Sequence, residues 1–176
     1  EHGHYGHHFG LYDELIHVPL IIIGPGLKSQ IITQEVSLLD LAPTILDMAG
    51  IEKPKAFLGD SLLGLMRGKG IEHIKPGAIS ETDLPPVKLR VRGNQRRLDA
   101  KHRVISFRTE KWKYIYNKVG QDELYCLETD PGERENLIDA EPETASELRC
   151  KIMAHIKFED SKALRDDGII KAKIRK

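Results

Sequence analysis

The sequence predicts an α/β fold in which the end of an α/β sandwich is followed by a small antiparallel sheet packed by one helix. Three stretches lead to this prediction. Residues 17–26 hold an unbroken apolar run, residues 78–127 hold short alternating runs, and residues 141–160 carry one helical stripe. A continuous apolar run is typical of a strand covered on both faces, whereas alternation is typical of an antiparallel sheet.

The apolar run predicts a buried parallel strand. Residues 17–26 read His-Val-Pro-Leu-Ile-Ile-Ile-Gly-Pro-Gly, and their β-branched content favours extended backbone. Pro19 lies at the entry of the strand, where a missing backbone donor is tolerated, and residues 24–26 turn the chain out. We expect loops at the ends of such a strand to carry function.

Helical spacing predicts three short helices before residue 70. They lie within residues 11–16, 36–50 and 58–68. In the first helix, Asp13 and Glu14 are expected to face solvent or a neighbouring base. In the second, Asp40 is the predicted N-cap rather than a catalytic carboxylate, and Gly50 the residue that ends the helix.

The second half of the chain predicts an antiparallel sheet with one solvated face. The predicted strands are residues 78–81, 104–108, 112–116 and 123–127. Residues 109–111 and 119–122 are hairpin connections. We expect the helix Glu141–Asp160 to lie on the dry face, and Trp112 or Tyr114 to contribute to one face of the sheet.

Three polar segments lie outside these elements. Residues 130–133, Asp-Pro-Gly-Glu, predict a β-turn. The arginine-rich stretch Lys88–Arg103 is predicted to be a solvated loop, or else a mobile arm that helps to enclose an anionic substrate. Residues 161–176 form a basic tail that is expected to fray.

Composition narrows the possible partners. Lys and Arg balance Asp and Glu at 27 each, so no overall field favours nucleic acid or an anionic membrane. No apolar run approaches the roughly 20 residues that span a bilayer. Cys126 and Cys150 do not match a metal motif and are expected to be ordinary thiols, with a disulfide as the alternative; free thiols would favour a reducing, cytoplasmic location. Since the chain begins at Glu1 in a histidine-rich loop, we expect a fragment.

Histidine is concentrated at the start of the chain. Five of the eight histidines lie between His2 and His17, and the first ten residues include His2, His4, His7 and His8. Imidazole binds divalent metals when neutral and oxyanions when protonated. The alternative is an exposed, flexible end, and the spacing matches no zinc motif.

Four segments together resemble the C-terminal part of a type I sulfatase of the alkaline-phosphatase superfamily. Glu1-His2-Gly3 with residues 11–21 resembles the family's Gly-Glu-His-Gly loop and its Tyr-Glu-Glu-x-x-Arg-Val-Pro-Leu strand entry. Residues 36–50 are similar to the helix that follows. Residues 105–116 and 123–137 match the closing sheet, and the ending Leu-Tyr-x-Leu-x-x-Asp-Pro-x-Glu-x-x-Asn-Leu is characteristic of sulfatases.

The resemblance implies an alkaline-phosphatase-like fold and hydrolysis of sulfate esters on a small molecule or carbohydrate. Residues 1–76 would belong to the catalytic domain and residues 77–160 to a C-terminal subdomain. The family's nucleophile is a formylglycine made within Cys/Ser-x-Pro-x-Arg, and a divalent metal, usually calcium, polarises the sulfate. This sequence contains no such motif. The nucleophile and the metal ligands are therefore expected upstream, in a missing N-terminal part.

The resemblance also identifies a candidate substrate contact. Family members place a sulfate-binding lysine four residues before the tyrosine that corresponds to Tyr12, and this position holds His8. A protonated imidazole retains the positive charge. His2, His4 and His7 are the alternative substrate-binding residues. Two other functions remain open: a phosphodiesterase or phosphonate hydrolase of the same superfamily, and a stand-alone metal- or anion-binding fragment.

Overall fold

The computed structural model describes residues 2–3, 10–69, 77–84, 88–91, 94–97, 102–118 and 120–174. Its helices are α1 (Asp13–Ile16), α2 (Leu41–Met48), α3 (Leu63–Met66) and α4 (Pro142–Ile174), with a 3-10 turn at Leu38–Asp40. Its strands are β1 (Ala78–Leu84), β2 (Lys88–Val91), β3 (Asn94–Arg97), β4 (His102–Arg108), β5 (Trp112–Asn117) and β6 (Glu123–Cys126).

Strands β1, β4, β5 and β6 form the predicted antiparallel sheet, in that spatial order. Both predicted hairpin connections join neighbouring strands, β4 to β5 and β5 to β6. The predicted turn after β6 is also present, since the N–H of Glu133 donates to the carbonyl of Asp130 at 3.1 Å. The sheet and its turns therefore follow the sequence pattern.

Helix α4 covers one face of the sheet, as the stripe predicts. Its buried residues Ala145, Leu148 and Ile152 follow one another at helical spacing. They pack against Ile105, Phe107, Tyr114 and Leu124 of the sheet, with Trp112 at the edge of the cluster. This cluster is the larger of the two apolar cores that the structure describes.

The opposite face of the sheet is not solvated, and this corrects the prediction of one wet face. Leu11 packs with Val104, Ile115 and Tyr125 in a second apolar cluster, bordered by Tyr12 and Ile16. Alternation in β4 and β5 thus divides side chains between two covered faces. One is covered by α4 and the other by the segment that contains α1.

The predicted strand at residues 17–26 is absent, which is a second correction. Residues 17–24 have no regular structure, and Ile21 and Ile23 are 83% and 91% exposed. A parallel strand requires hydrogen-bonded neighbours, and the described part of the chain pairs none with this run. Residues 17–22 of this run, residues 30–36 and side chains of α3 together line a cavity of ≈ 600 Å³.

Asp40 occupies the N-cap position of the second helix, as predicted, but its side chain makes no capping bond to that helix. Ser37 accepts the N–H of Leu39 at 3.3 Å, and the Asp40 carboxylate accepts the N–H of Ser37 at 2.8 Å. The Asp40 side chain therefore completes a capping box with Ser37 at the 3-10 turn that precedes the helix. Its other oxygen accepts the N–H of Asp60 at 2.9 Å, where Gly59 lies too close to Leu39 to carry a side chain.

Two further segments differ from their predictions. Within the arginine-rich stretch, β2 and β3 pair in antiparallel fashion instead of forming a loop, so Lys88, Arg90, Arg96 and Arg97 follow regular backbone, while residues 92–93 and 98–101 lie outside the described residues. Helix α4 extends to Ile174 and includes most of the predicted basic tail.

In the described residues, no helix combines the length and apolarity of a membrane span. The division at residues 76 and 160 stays a prediction.

Candidate functional site

Two cations lie side by side on the face of the sheet that α1 covers. Arg108 of β4 and Lys113 of β5 are direct partners in the antiparallel register. Lys113 is fully buried, and the Arg108 side chain is 16% exposed. Like charges directly opposite each other destabilise a sheet, and burial adds a large cost for an unpaired charge. This arrangement requires anions between and around the two side chains.

Asp13 provides the anion between them. Its Oδ1 contacts Nζ of Lys113 at 2.7 Å, and its Oδ2 accepts from Nε of Arg108 at 2.9 Å. Arg108 also contacts the carboxylate of Glu35. Asp13 is the first residue of α1, so these contacts fasten that helix to the centre of the sheet. The prediction that Asp13 or Glu14 faces a neighbouring base is correct for Asp13.

Glu133 is the third anion and is only 2% exposed. Its Oε1 contacts Nζ of Lys113 at 2.7 Å, and its Oε2 accepts the backbone N–H of Asp13 at 2.5 Å. The residue has a positive φ of 52°, an unusual conformation that directs its side chain from the turn after β6 into the cluster. We call Asp13, Glu35, Arg108, Lys113 and Glu133 the ion cluster.

The three carboxylates of the ion cluster have different protonation preferences. Burial alone would raise the pKa of Asp13, but Lys113 and Arg108 outweigh it and hold this pKa below its ordinary value. Burial raises the pKa of Glu133 despite the Lys113 contact, and burial also raises the pKa of Glu35. This result agrees with charge balance, because three carboxylates share two cations.

His2 lies against the ion cluster. Its Nε2 is 2.8 Å from the carbonyl oxygen of Glu133, and its ring stacks on Tyr12 with centroids 3.7 Å apart. The Tyr12 hydroxyl donates to Glu123 at 2.9 Å, and the Tyr125 hydroxyl donates to the same oxygen at 2.6 Å. Burial and the Glu123 carboxylate raise the pKa of Tyr12 to about 12 and also raise the pKa of Tyr125, so both hydroxyls remain protonated donors.

The predicted substrate-binding residues are only partly within the described structure. His2 is placed, and its ring contacts groups of the same chain. His4, His7 and His8 lie outside the described residues. Among the residues that are described, no group of three or more His, Cys, Asp or Glu could hold a metal ion. Cys126 and Cys150 are free thiols, as the sequence predicts.

The ion cluster is suited to holding the chain in position rather than to catalysis. Both of its cations already contact carboxylates, so they do not present an open anion site. Sequence reasoning missed Lys113, Arg108 and Glu133 because alternation placed the first two on a face that was expected to be wet. The available indication was Lys113 itself, since a cation inside the run Trp-Lys-Tyr-Ile-Tyr has apolar neighbours on both sides.

Comparison with known proteins relates the chain to sulfatases. Residues 1–79 match the family model described as N-sulphoglucosamine sulphohydrolase, C-terminal. This range includes His2 and all of α1, α2 and α3. The chain is also 33% identical over 173 residues, 94% of its length, to a Delta 4,5-hexuronate-2-O-sulfatase of Bacteroides thetaiotaomicron. The chain is therefore similar to the C-terminal part of sulfatases of the alkaline-phosphatase superfamily.

Other sulfatase relatives agree with this classification. Arylsulfatase K of Mus musculus is 31% identical over 158 residues, which are 84% of this chain. The chain spans 31% of the length of the Bacteroides sulfatase and 26% of that of arylsulfatase K. It therefore corresponds to about a quarter to a third of these relatives.

Solved structures support the fold. A 2-O GAG sulfatase superposes with a TM-score of 0.70 at 30% identity, covering 85% of this chain and 32% of that protein. A phosphonate monoester hydrolase from Silicibacter pomeroyi gives a TM-score of 0.69 at 25% identity, covering 84% and 30%. The predicted alkaline-phosphatase-like architecture with a closing antiparallel sheet is confirmed.

We predict opposite pH trends for the two buried carboxylates nearest Lys113. Because the folded pKa of Asp13 is lowered, its contribution to stability is complete above its unfolded value of about 3.9 and is lost as pH falls through the folded pKa. Because the folded pKa of Glu133 is raised, its contribution is complete below its unfolded value of about 4.3 and is lost as pH rises through the folded pKa.

The measurement is the thermal midpoint of wild type, Asp13→Asn and Glu133→Gln between pH 3 and 8. The difference in thermal midpoint between wild type and Asp13→Asn should become smaller as the pH falls. The difference in thermal midpoint between wild type and Glu133→Gln should become smaller as the pH rises. Glu135→Gln, an exposed change in the same turn, is the matched control and should track wild type. If the differences in thermal midpoint from wild type change with pH in the same direction for both variants, the assigned pKa directions are contradicted.

Proposed function

We propose that this chain is the C-terminal part of a longer sulfatase, in which it supplies a rim of the active site and the closing subdomain. One observation carries the proposal: the likeness to the hexuronate-2-O-sulfatase runs through the N-terminal segment and the closing sheet alike. In the structure, Asp13 and Lys113 join these two regions. The sequence similarity covers both regions, and the contact between Asp13 and Lys113 joins them in the fold. Together these observations support the proposal that the chain keeps the sulfatase architecture.

The relatives favour a sulfated sugar as the substrate. The first is named for a 2-O-sulfated hexuronate, and the superposed structure is a 2-O GAG sulfatase. We propose that the intact enzyme hydrolyses sulfate esters on carbohydrates of this kind. The described part of the chain holds no metal cluster. We therefore assign the formylglycine nucleophile and a divalent ion, calcium by family resemblance, to the polypeptide that would precede residue 1.

The exposed apolar run supports attachment to such a polypeptide. Ile21, Ile23 and Ile31 are each more than four-fifths exposed. Exposed apolar surface of this kind marks a contact site. We propose that residues 17–24 complete the parallel sheet of the catalytic domain. The sequence-based expectation of a buried strand would then hold in the longer protein although it fails in this chain.

A phosphonate or phosphodiester hydrolase is the second candidate function. The Silicibacter phosphonate monoester hydrolase superposes almost as well as the 2-O GAG sulfatase does. Its sequence identity is lower, at 25% against 30%. Sulfate esters and phosphonates both present anionic oxygens to the enzyme, so the fold alone does not separate these substrates. We therefore rank the sulfatase first on sequence similarity.

We predict that the longer polypeptide prefers sulfate esters and that this chain alone is inactive. A protein that joins this chain to the upstream region of a sulfatase should hydrolyse 4-nitrophenyl sulfate with a kcat/KM at least about tenfold above that for a phosphonate monoester. The chain alone should give no turnover above buffer, because a rim cannot replace the nucleophile. Preference for the phosphonate would support the second candidate function. Turnover by the chain alone would contradict the proposal that the nucleophile lies in the upstream region.

We further predict that His8 binds the sulfate of the substrate as an imidazolium. In the longer enzyme, His8→Ala should lower kcat/KM by about one to three powers of ten, the scale for loss of one oxyanion donor. His8→Lys should restore much of the rate. The wild type should lose rate as pH rises through the His8 pKa, ordinarily about 6.5, whereas the lysine variant should hold its rate further into the alkaline range.

The pH profile of kcat/KM for these three proteins is the measurement. Equal rates at all pH values would remove His8 from the site and direct attention to His7, His4 and His2. A lysine variant as slow as the alanine variant would show that charge is not what the position provides. Binding of divalent metal by the isolated chain, lost in His4→Ala or His7→Ala, would instead favour the stand-alone metal-binding function.

A further inference from the structure

A cleft of ≈ 420 Å³ lies between the closing sheet and the N-terminal half of the chain. One wall consists of residues 78–81 of β1 and two side chains of α4, His155 and Glu159. The other wall consists of residues 35–39 and part of the segment 16–20. We call this space the β1 cleft.

Exposed apolar side chains line the second wall of the β1 cleft. Val18, Leu20, Leu38 and Leu39 are each at least 40% exposed. Apolar surface that is exposed in one place marks a contact site. Val18 and Leu20 also belong to the run of residues 17–24 that is proposed to complete the sheet of the catalytic domain. The β1 cleft therefore continues that contact surface onto the closing subdomain.

The cleft runs along an open edge of the sheet. Four consecutive residues, 78–81, line it. Since successive side chains of a strand point to opposite faces, a space that touches all four follows the edge of the strand. Among the described residues, the backbone of residues 78–82 pairs with β4 alone. Such an edge offers hydrogen bonds to an additional strand.

The opposite edge of the same sheet is closed by the chain itself. The carbonyl of Leu124 in β6 accepts the N–H of Leu137 at 2.8 Å, and the N–H of Leu124 donates to Oδ1 of Asn136 at 3.0 Å. Covering an edge in this way prevents pairing with other chains. The contrast between the two edges indicates that β1 is left open for a specific partner.

Carboxylates outnumber the permanent cations along the β1 cleft. Glu35, Glu81 and Glu159 line it. Glu35 contacts Arg108, and Glu81 contacts Arg103. Oε1 of Glu159 is buried and has no hydrogen-bond partner among the described residues. Because an unsatisfied buried acceptor is costly, an occupant that brings a basic side chain to Glu159 is favoured.

A second copy of this chain is a poor occupant for the same reason. It would bring another set of the same three carboxylates to the shared cleft. Pairing of two β1 strands about Glu81 would also place two Glu81 side chains directly opposite each other. Like charges in this arrangement destabilise a strand pair. The charges therefore favour a basic partner over self-association.

We propose that the β1 cleft receives an extended segment of the polypeptide that would precede residue 1 in the longer sulfatase. The backbone of the segment pairs with the open edge of β1. Its apolar side chains pack against Val18, Leu20 and Leu39, and a lysine or arginine reaches Glu159. The inference rests on the proposed function, which supplies the longer protein. This chain spans 31% of the hexuronate-2-O-sulfatase, so more than two thirds of that relative lies outside the matched region.

Hydrogen exchange at β1 is the first test. The amides of residues 78–82 that point away from β4 should exchange rapidly in this chain alone. In the longer protein they should exchange at least about tenfold more slowly. The N–H of Leu124 is already bonded in this chain and serves as the reference, whose exchange should change little. Equal exchange of residues 78–82 in the two proteins would overturn the proposal.

Two variants connect this protection to the cleft. Leu39→Asp places a charge on the apolar wall, and Glu159→Lys reverses the charge that the segment meets. Their controls, Ile51→Asp and Asp160→Lys, make matched changes at exposed positions outside the cleft. In the longer protein, the protection of residues 78–82 should fall at least about tenfold in the two test variants and persist in the controls.

The same variants are measured in this chain alone to separate docking from folding. There the thermal midpoint of each test variant should match that of its control, because the cleft is empty in both. Protection of residues 78–82 that persists in Leu39→Asp and Glu159→Lys would overturn the proposal.

Two further measurements distinguish the other outcomes. If sedimentation velocity shows that this chain self-associates, and residues 78–82 become protected as its concentration rises, a second copy occupies the cleft and the proposal is wrong. Hydrolysis of 4-nitrophenyl sulfate by the longer protein tests the proposed function separately. Protection without hydrolysis would refute the sulfatase function and support the docking, whereas hydrolysis without protection would overturn the docking alone.

Discussion

Arg108 and Lys113 are opposed on a buried sheet face, and this pair of like charges is the constraint on which the rest of the structure depends. Lys113 is fully buried and Arg108 is largely buried, so folding requires carboxylates that reach both cations. Removal of one partner from a buried ion pair costs about 3–5 kcal/mol. Asp13 comes from the N-terminal segment and Glu133 from the turn after β6. The sheet, the segment and the turn therefore form one connected unit.

This constraint explains why the sheet is covered on both faces. Helix α4 buries the face that carries Tyr114, whereas the second face buries Lys113, which cannot be left without its anions. The segment that supplies Asp13 also supplies Leu11, so apolar burial and charge pairing occur together. Within the described residues, residues 18–24 make no ion pair of this kind. They remain exposed, which agrees with a role in a contact outside this chain.

Much of the fold was readable from local pattern, because hairpins, turns and helical stripes depend on near neighbours in sequence. The strands of the closing sheet, the turn at Asp130 and the stripe of α4 are examples. The prediction of a strand at residues 17–24 was wrong for this chain, because a strand requires hydrogen-bonded neighbouring strands that a local sequence pattern does not reveal. The ion cluster was missed because its residues are distant in sequence: Asp13 and Lys113 are adjacent only after folding. The sequence singled out His2 as a candidate substrate contact, which stays a prediction, and its contact with Glu133 could not be predicted.

A double-mutant cycle between Asp13 and Lys113 tests the central claim most directly. The measurement is the free energy of unfolding of this chain by urea for wild type, Asp13→Asn, Lys113→Met and the double variant. Each single change should cost about 3–5 kcal/mol, and the double variant should cost about 2–3 kcal/mol less than the sum. Costs that add to within about 0.5 kcal/mol would show that the two residues act independently and would contradict this account.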